Sequence, residues 1–166
     1  MKKISPFLIL AFLTVQFSPA AYPETVRAIF EDGQLELEDG RRVQLAGILP
    51  PPEGLRMLPV LLAGQEVDLE HDSALQKAVG EGQPLPVYMY VMTSEISLPH
   101  GLKGESRKKK VMVNEIMLAI GAAQVDGKLS FKWKKRFSEI EAEARKKGEG
   151  IWSYSRAGEL SSSSLS

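Results

Sequence analysis

Residues 33–48 read GQLELEDGRRVQLAGI, and few folds accommodate such a stretch. Leu35, Leu37, Val43 and Leu45 alternate with polar residues, so a period of two puts these four side chains on one face of a two-stranded ribbon. Asp39-Gly40 lies between the arms, where glycine takes the φ > 0 conformation that a tight hairpin needs. A second segment, 136–152, reads RFSEIEAEARKKGEGIW and carries helix punctuation. Ser138 is placed to cap, Glu141 to complete a capping box, and Gly148 to stop the helix. Ile140 and Ala144, four apart, then face the core, and Ile151-Trp152 docks beyond the stop, with Trp152 as a core anchor.

Between these landmarks the pattern predicts strands at Val26–Ile29, Gln65–Leu69 and Val87–Met92. Pro50-Pro51-Pro52 interrupts regular structure, because proline fixes φ and has no amide donor. Residues 54–62 suit a short helix limited by Pro59, and 74–82 fit either helix or loop. Val113–Ala122 reads as a helix with Ile116, Met117 and Ile120 on its buried face and Asn114 near its start. Thr93–Lys110 is irregular and ends in the basic run Arg107-Lys108-Lys109-Lys110. Strands come early and the strongest helices late, an α+β order that suggests a small antiparallel barrel closed by helices.

The chain opens with two lysines, an apolar stretch from Phe7 to Phe17, and Ser18-Pro19-Ala20-Ala21, the form of a cleavable secretory signal over residues 1–21. Its apolar run is too short for a membrane span, so export to the periplasm or the medium is expected, with no stable span after cleavage. Residues 156–166 form a serine-rich tail. There is no cysteine, which removes disulfides and thiolate zinc sites and leaves carboxylates as the main metal ligands. Without the leader's two lysines, 19 basic residues face 21 acidic ones, a net charge of −2. That balance is poor for tight nucleic-acid binding, which relies on releasing counterions from phosphates.

Three pieces in order carry a resemblance over nearly the whole of residues 22–155: Val43-Gln44-Leu45-Ala46-Gly47-Ile48, then Val113-Asn114-Glu115, then Ala142-Glu143-Ala144 running through Gly148 and Gly150 to Ile151-Trp152. The chain resembles the staphylococcal-nuclease (thermonuclease) family. The resemblance implies an α+β fold, an OB-type five-stranded antiparallel β-barrel with packed C-terminal helices. It also implies calcium-assisted hydrolysis of DNA and RNA phosphodiesters, with a cation, two arginines and a glutamate.

The residues present depart from that set. Gln44 stands where the resemblance calls for the first arginine, and Pro84 where it calls for the second. Leu49 replaces a metal aspartate, and Glu53, one residue late, is the nearest candidate for the glutamate. Gly33 falls at the other metal aspartate, with Asp32 as its neighbouring candidate ligand. Three readings follow. One is an exported, catalytically degenerate domain that binds nucleic acid, in which case single strands are expected. Another is an envelope interaction module contacting a protein or an anionic polymer. The third is an active secreted calcium-dependent nuclease with relocated residues, Arg41, Arg42 or Arg107 supplying the charge and Asp32 with Glu53 the cation site. Arg107–Lys110 is the candidate phosphate contact, and Tyr88, Tyr90, Phe131 and Trp133 are candidate stacking rings, though packing roles suit all four better.

Overall fold

The computed structural model describes residues 23–80, 82–92 and 110–153. The strands are β1 (Glu24–Ile29), β2 (Leu35–Leu37), β3 (Arg42–Leu45), β4 (Ile48–Leu49), β5 (Glu66–His71), β6 (Leu85–Met92), β7 (Lys110–Met112) and β8 (Gln124–Val125). The helices are α1 (Pro52–Leu55), α2 (Met57–Leu62), α3 (Ser73–Ala78), α4 (Val113–Ala119) and α5 (Lys134–Lys147), followed by a 3-10 turn at Gly150–Trp152. Among the described residues no helix is long and apolar enough to cross a membrane. The expected leader 1–21, the tail 156–166 and the basic residues Arg107, Lys108 and Lys109 lie outside the described residues.

Five strands close into a barrel. β2 pairs with β1 and β3, β1 with β5, and β5 with β6, all antiparallel, and β6 returns to β3 in parallel. The barrel is thus not wholly antiparallel as expected. The chain between β3 and β6 crosses over through α1, α2, β5 and α3, and such a crossover delivers the second strand in the same direction. Besides its ladder with β5, the eight-residue β6 pairs through its first half with β3 and through its second half with β7. Leu35, Leu37, Val43 and Leu45, the four predicted hairpin residues, are all buried, with Val67, Val87 and Met89 beside them. Gly40 takes φ +84° at the turn, as Asp39-Gly40 predicts.

Asn114 fastens α4 to the barrel. It is fully buried, accepts a hydrogen bond from the Met89 amide at 3.1 Å, and donates to the carbonyls of Ala46 at 3.0 Å and Val87 at 3.3 Å. One amide side chain thus joins the β3 turn, β6 and α4. Met117 is buried on the same helix, and Ile116 and Ile120 pack against the core from its edge.

Asp72 performs a similar task with charge. Its carboxylate caps α3 by accepting from the amides of Ala74 and Leu75, and also accepts from the Tyr88 hydroxyl at 2.8 Å and the Lys132 amide at 2.9 Å. Burial opposes its ionisation, but these four donors outweigh that and hold its carboxyl below the ordinary range. Tyr88 is pushed upward by burial and by that same carboxylate. A lowered carboxyl contributes stability above its unfolded value, near 3.8, and loses it as pH falls through the folded value. Asp72→Asn is therefore expected to cost about 2 kcal/mol at neutral pH, since the amide turns a donor toward donors. The gap between variant and parent should close below pH 3.8 in denaturant titrations run across pH. A gap that stays constant with pH would exclude this role for the charge.

The last helix does not begin at a Ser138 cap. α5 starts at Lys134, with Trp133 at the cap position, and Ser138 sits inside it, returning its hydroxyl to the Lys134 carbonyl at 3.0 Å. Glu141 does not close a capping box but accepts the Val125 amide of β8 at 3.1 Å. The C-terminus is as predicted: Gly148 adopts φ +72° and the Glu149 amide returns to the Ala144 carbonyl. Ala144 is buried, Ile140 packs at the core's margin, and Trp152 is half-buried with the Arg145 guanidinium 4.0 Å over its ring.

Candidate functional site

The positions singled out in the sequence lie on the β1–β2 turn, on β3 and β4, at the start of α1 and just before β6. β2 and β3 pair through Leu35 and Val43, so β3 continues past this pair alongside the turn that holds Asp32 and Gly33. Gly33 packs on α1: a methyl group there would lie 2.7 Å from Leu55 Cδ2. The parallel seam puts Gln44 opposite Pro86 and Val43 opposite Leu85, with Pro84 one residue earlier. Gln44 is exposed on the outer face of β3, and Pro84 is buried. Neither side chain carries charge.

The carboxylates fit a cation no better. Both oxygens of Asp32 are taken by Gln34, one accepting its amide at 3.0 Å and the other its side-chain Nε2 at 2.7 Å. This is an Asx turn that shapes the β1–β2 hairpin. Glu53 is exposed in the first turn of α1 and makes no hydrogen bond or ion pair among the described residues. Leu49 and Gly33 have no side-chain oxygen, and among the described residues no group of three or more His, Asp or Glu can hold a metal. Calcium, which takes six or more oxygens, does not fit this donor set.

Of the replacements, Arg41 and Arg42 are engaged elsewhere, and Arg107 lies outside the described residues. Arg41 is bound to Asp39 at 2.6 Å and to Glu24, at the other end of β2 from Asp32. Hydrogen bonds to Glu24 and Asp39 raise the Arg41 guanidinium above its ordinary value. Arg42 stacks its guanidinium 4.5 Å over Phe30. Lys110, the described member of the basic run, pairs with Asp68 at 3.1 Å and sits 4.6 Å over the Tyr90 ring.

Nor do the aromatic candidates offer open faces. Tyr88 and Phe131 are buried and pack against Phe137. Tyr90 is half-buried beneath Lys110, its hydroxyl on Glu70 at 2.6 Å. Burial and the Glu70 carboxylate push that hydroxyl upward. Trp133 lies edge-on to Tyr88 with Lys132 over its ring at 4.6 Å. Lys132 also reaches Glu70 at 2.7 Å. Burial disfavours the Glu70 charge, but Lys132 and Tyr90 more than compensate and lower it.

Of these positions only Glu53 lines a cleft, one of about 750 Å³. Pro51, Glu53, Gly54 and Met57 form one wall, Ile120 to Ala122 with Gln124 the second, and Gly150-Ile151 the third. The walls touch at backbone level: a methyl group on Gly54 would lie 1.8 Å from the Ala122 carbonyl oxygen, and the Ile151 amide donates to the Gly121 carbonyl at 2.9 Å. Nothing in the sequence announced this cleft, because its walls come from three segments up to 100 residues apart.

The model of the family described as staphylococcal nuclease homologue matches residues 87–154, from β6 through α4 and α5 to the 3-10 turn. No curated protein matches the chain. With β1, β2, β3, β5 and β6 closed into a barrel and α4 and α5 packed where the match runs, the chain carries a staphylococcal-nuclease-like domain.

Proposed function

We propose that this is an exported, catalytically degenerate nuclease-like domain that works as an interaction module. The observation that supports this reading is the residue set itself. Gln44 and Pro84 stand where two arginines would be needed, and Gly33 and Leu49 where metal carboxylates would be. Loss of a single preorganised transition-state partner typically costs about a hundredfold or more in rate, and four positions are altered here. Domains of this family commonly bind nucleic acid. Against that use, the rings that would stack bases are packed or covered by lysines, and the chain without its leader carries a net charge of −2. A protein partner in the envelope accords better with both.

The test is a phosphodiesterase assay on folded residues 22–166 with single-stranded DNA, in calcium and in EDTA. The expected result is no cleavage above the protein-free control in either condition. Calcium-dependent cleavage abolished by Glu53→Gln would overturn the proposal and establish a rebuilt catalytic site.

A further inference from the structure

We infer that the cleft between α1, the α4–β8 connection and the 3-10 turn binds an extended peptide carrying one arginine or lysine between apolar side chains. This deepens the reading of the domain as an interaction module and rests on it.

The walls are largely hydrocarbon, from Pro51, Met57, Ile120, Ala122 and Ile151. The apolar surface continues past the rim to Leu49, 55 % exposed and paired with Gln124 of the cleft wall. An open apolar surface that runs on from the cleft wall to Leu49 suits a chain segment. Glu53 is the charged side chain of the lining, and its carboxylate makes no hydrogen bond or ion pair among the described residues. Of the acids near it, Asp32 is committed to Gln34 and Glu141 to Val125 and Arg145, while Glu31 and Glu149 do not line the cleft. An uncommitted carboxylate beside an apolar trough is complementary to a cation flanked by apolar groups, and it disfavours an anion such as nucleic acid. The role given to Glu53 is therefore binding, without metal or water.

The experiment uses folded residues 22–166 and two labelled probes, the peptides Leu-Val-Arg-Leu-Val and Leu-Val-Glu-Leu-Val. Fluorescence anisotropy measures binding, and amide shifts at Ala122 and Ile151 locate it. The arginine peptide should bind with Kd on the order of 100 µM and move both amides. Glu53→Lys, an exposed and structurally tolerated change, should weaken it about tenfold and transfer preference to the glutamate peptide. Unchanged binding to Glu53→Lys would overturn the inference, as would no binding of either peptide at about 1 mM. Equal shifts from N-acetyl-arginine amide alone would also overturn it, by showing that the peptide flanks contribute nothing. Calcium-dependent DNA cleavage alongside intact, Glu53-dependent peptide binding would sink the degenerate reading while leaving the peptide site standing.

Discussion

Gly54→Ala is expected to cost about 4 kcal/mol, more than any other single methyl addition in the barrel. The added carbon would lie 1.8 Å from the Ala122 carbonyl oxygen and 2.8 Å from its carbonyl carbon. Both are backbone atoms, so no rotamer change makes room. Either α1 withdraws from the α4–β8 connection or the connection gives up its own bonds, among them Ala122 amide to Met117 carbonyl. Gly40→Ala is the control. It sits at the β2–β3 turn with φ +84°, and nothing lies within 4 Å of its methyl, so only the backbone penalty of about 1 kcal/mol applies. Urea titrations of the two variants measure the contrast at constant slope. A Gly54→Ala variant within 1 kcal/mol of the parent would mean that α1 is not seated on Ala122.

The second large effect belongs to Asn114. Asn114→Ala should destabilise the fold by about 3 to 4 kcal/mol, because it removes three hydrogen bonds in a site with no solvent access. The Met89 amide and the Ala46 carbonyl lose a partner and remain buried, which costs more than the bonds themselves contributed. Asn114→Asp is not a rescue. It preserves the acceptor for Met89 but turns an oxygen toward the carbonyls of Ala46 and Val87, so it should be at least as damaging at neutral pH. Thermal and urea unfolding of both variants decide the point. A loss below 1 kcal/mol for either would show that α4 is held by packing alone.

These two positions also mark where the sequence was legible and where it was not. The β2–β3 hairpin could be read directly, since alternation and Asp39-Gly40 are local signals and the core accepted all four apolar residues. Asn114 reads in the sequence only as a residue near a helix start. Its partners lie 25 to 68 residues away, and no window of sequence contains them. Asp72 carried a signal that went unused: an aspartate immediately before Ser73-Ala74-Leu75 is a helix cap, and α3 follows it. At α5 the opposite happened. Ser138 and Glu141 imitate a capping box, yet Phe137 is fully buried and fixes the preceding turn in the helix, so burial overrode the local pattern. That Gln44, Leu49 and Pro84 carry no charge is plain from the sequence alone. That Asp32 is consumed by its own turn and Glu53 left free needed three dimensions.

The parallel seam between β3 and β6 is the join that closes the barrel. It is three residue pairs long, against five between β5 and β6, and one of its members, Pro86, has no amide to give. It also unites residues 42 positions apart, whereas the β2–β3 pairs form within a single hairpin. Chain entropy makes such a contact late to form and early to yield. The molecule is a ring with a clasp rather than a uniform hoop. In amide exchange, the Ala46 amide, bonded across the seam to the Val87 carbonyl, should become labile before the β5–β6 ladder does. Asn114, which reaches over the same seam, is the pin in that clasp.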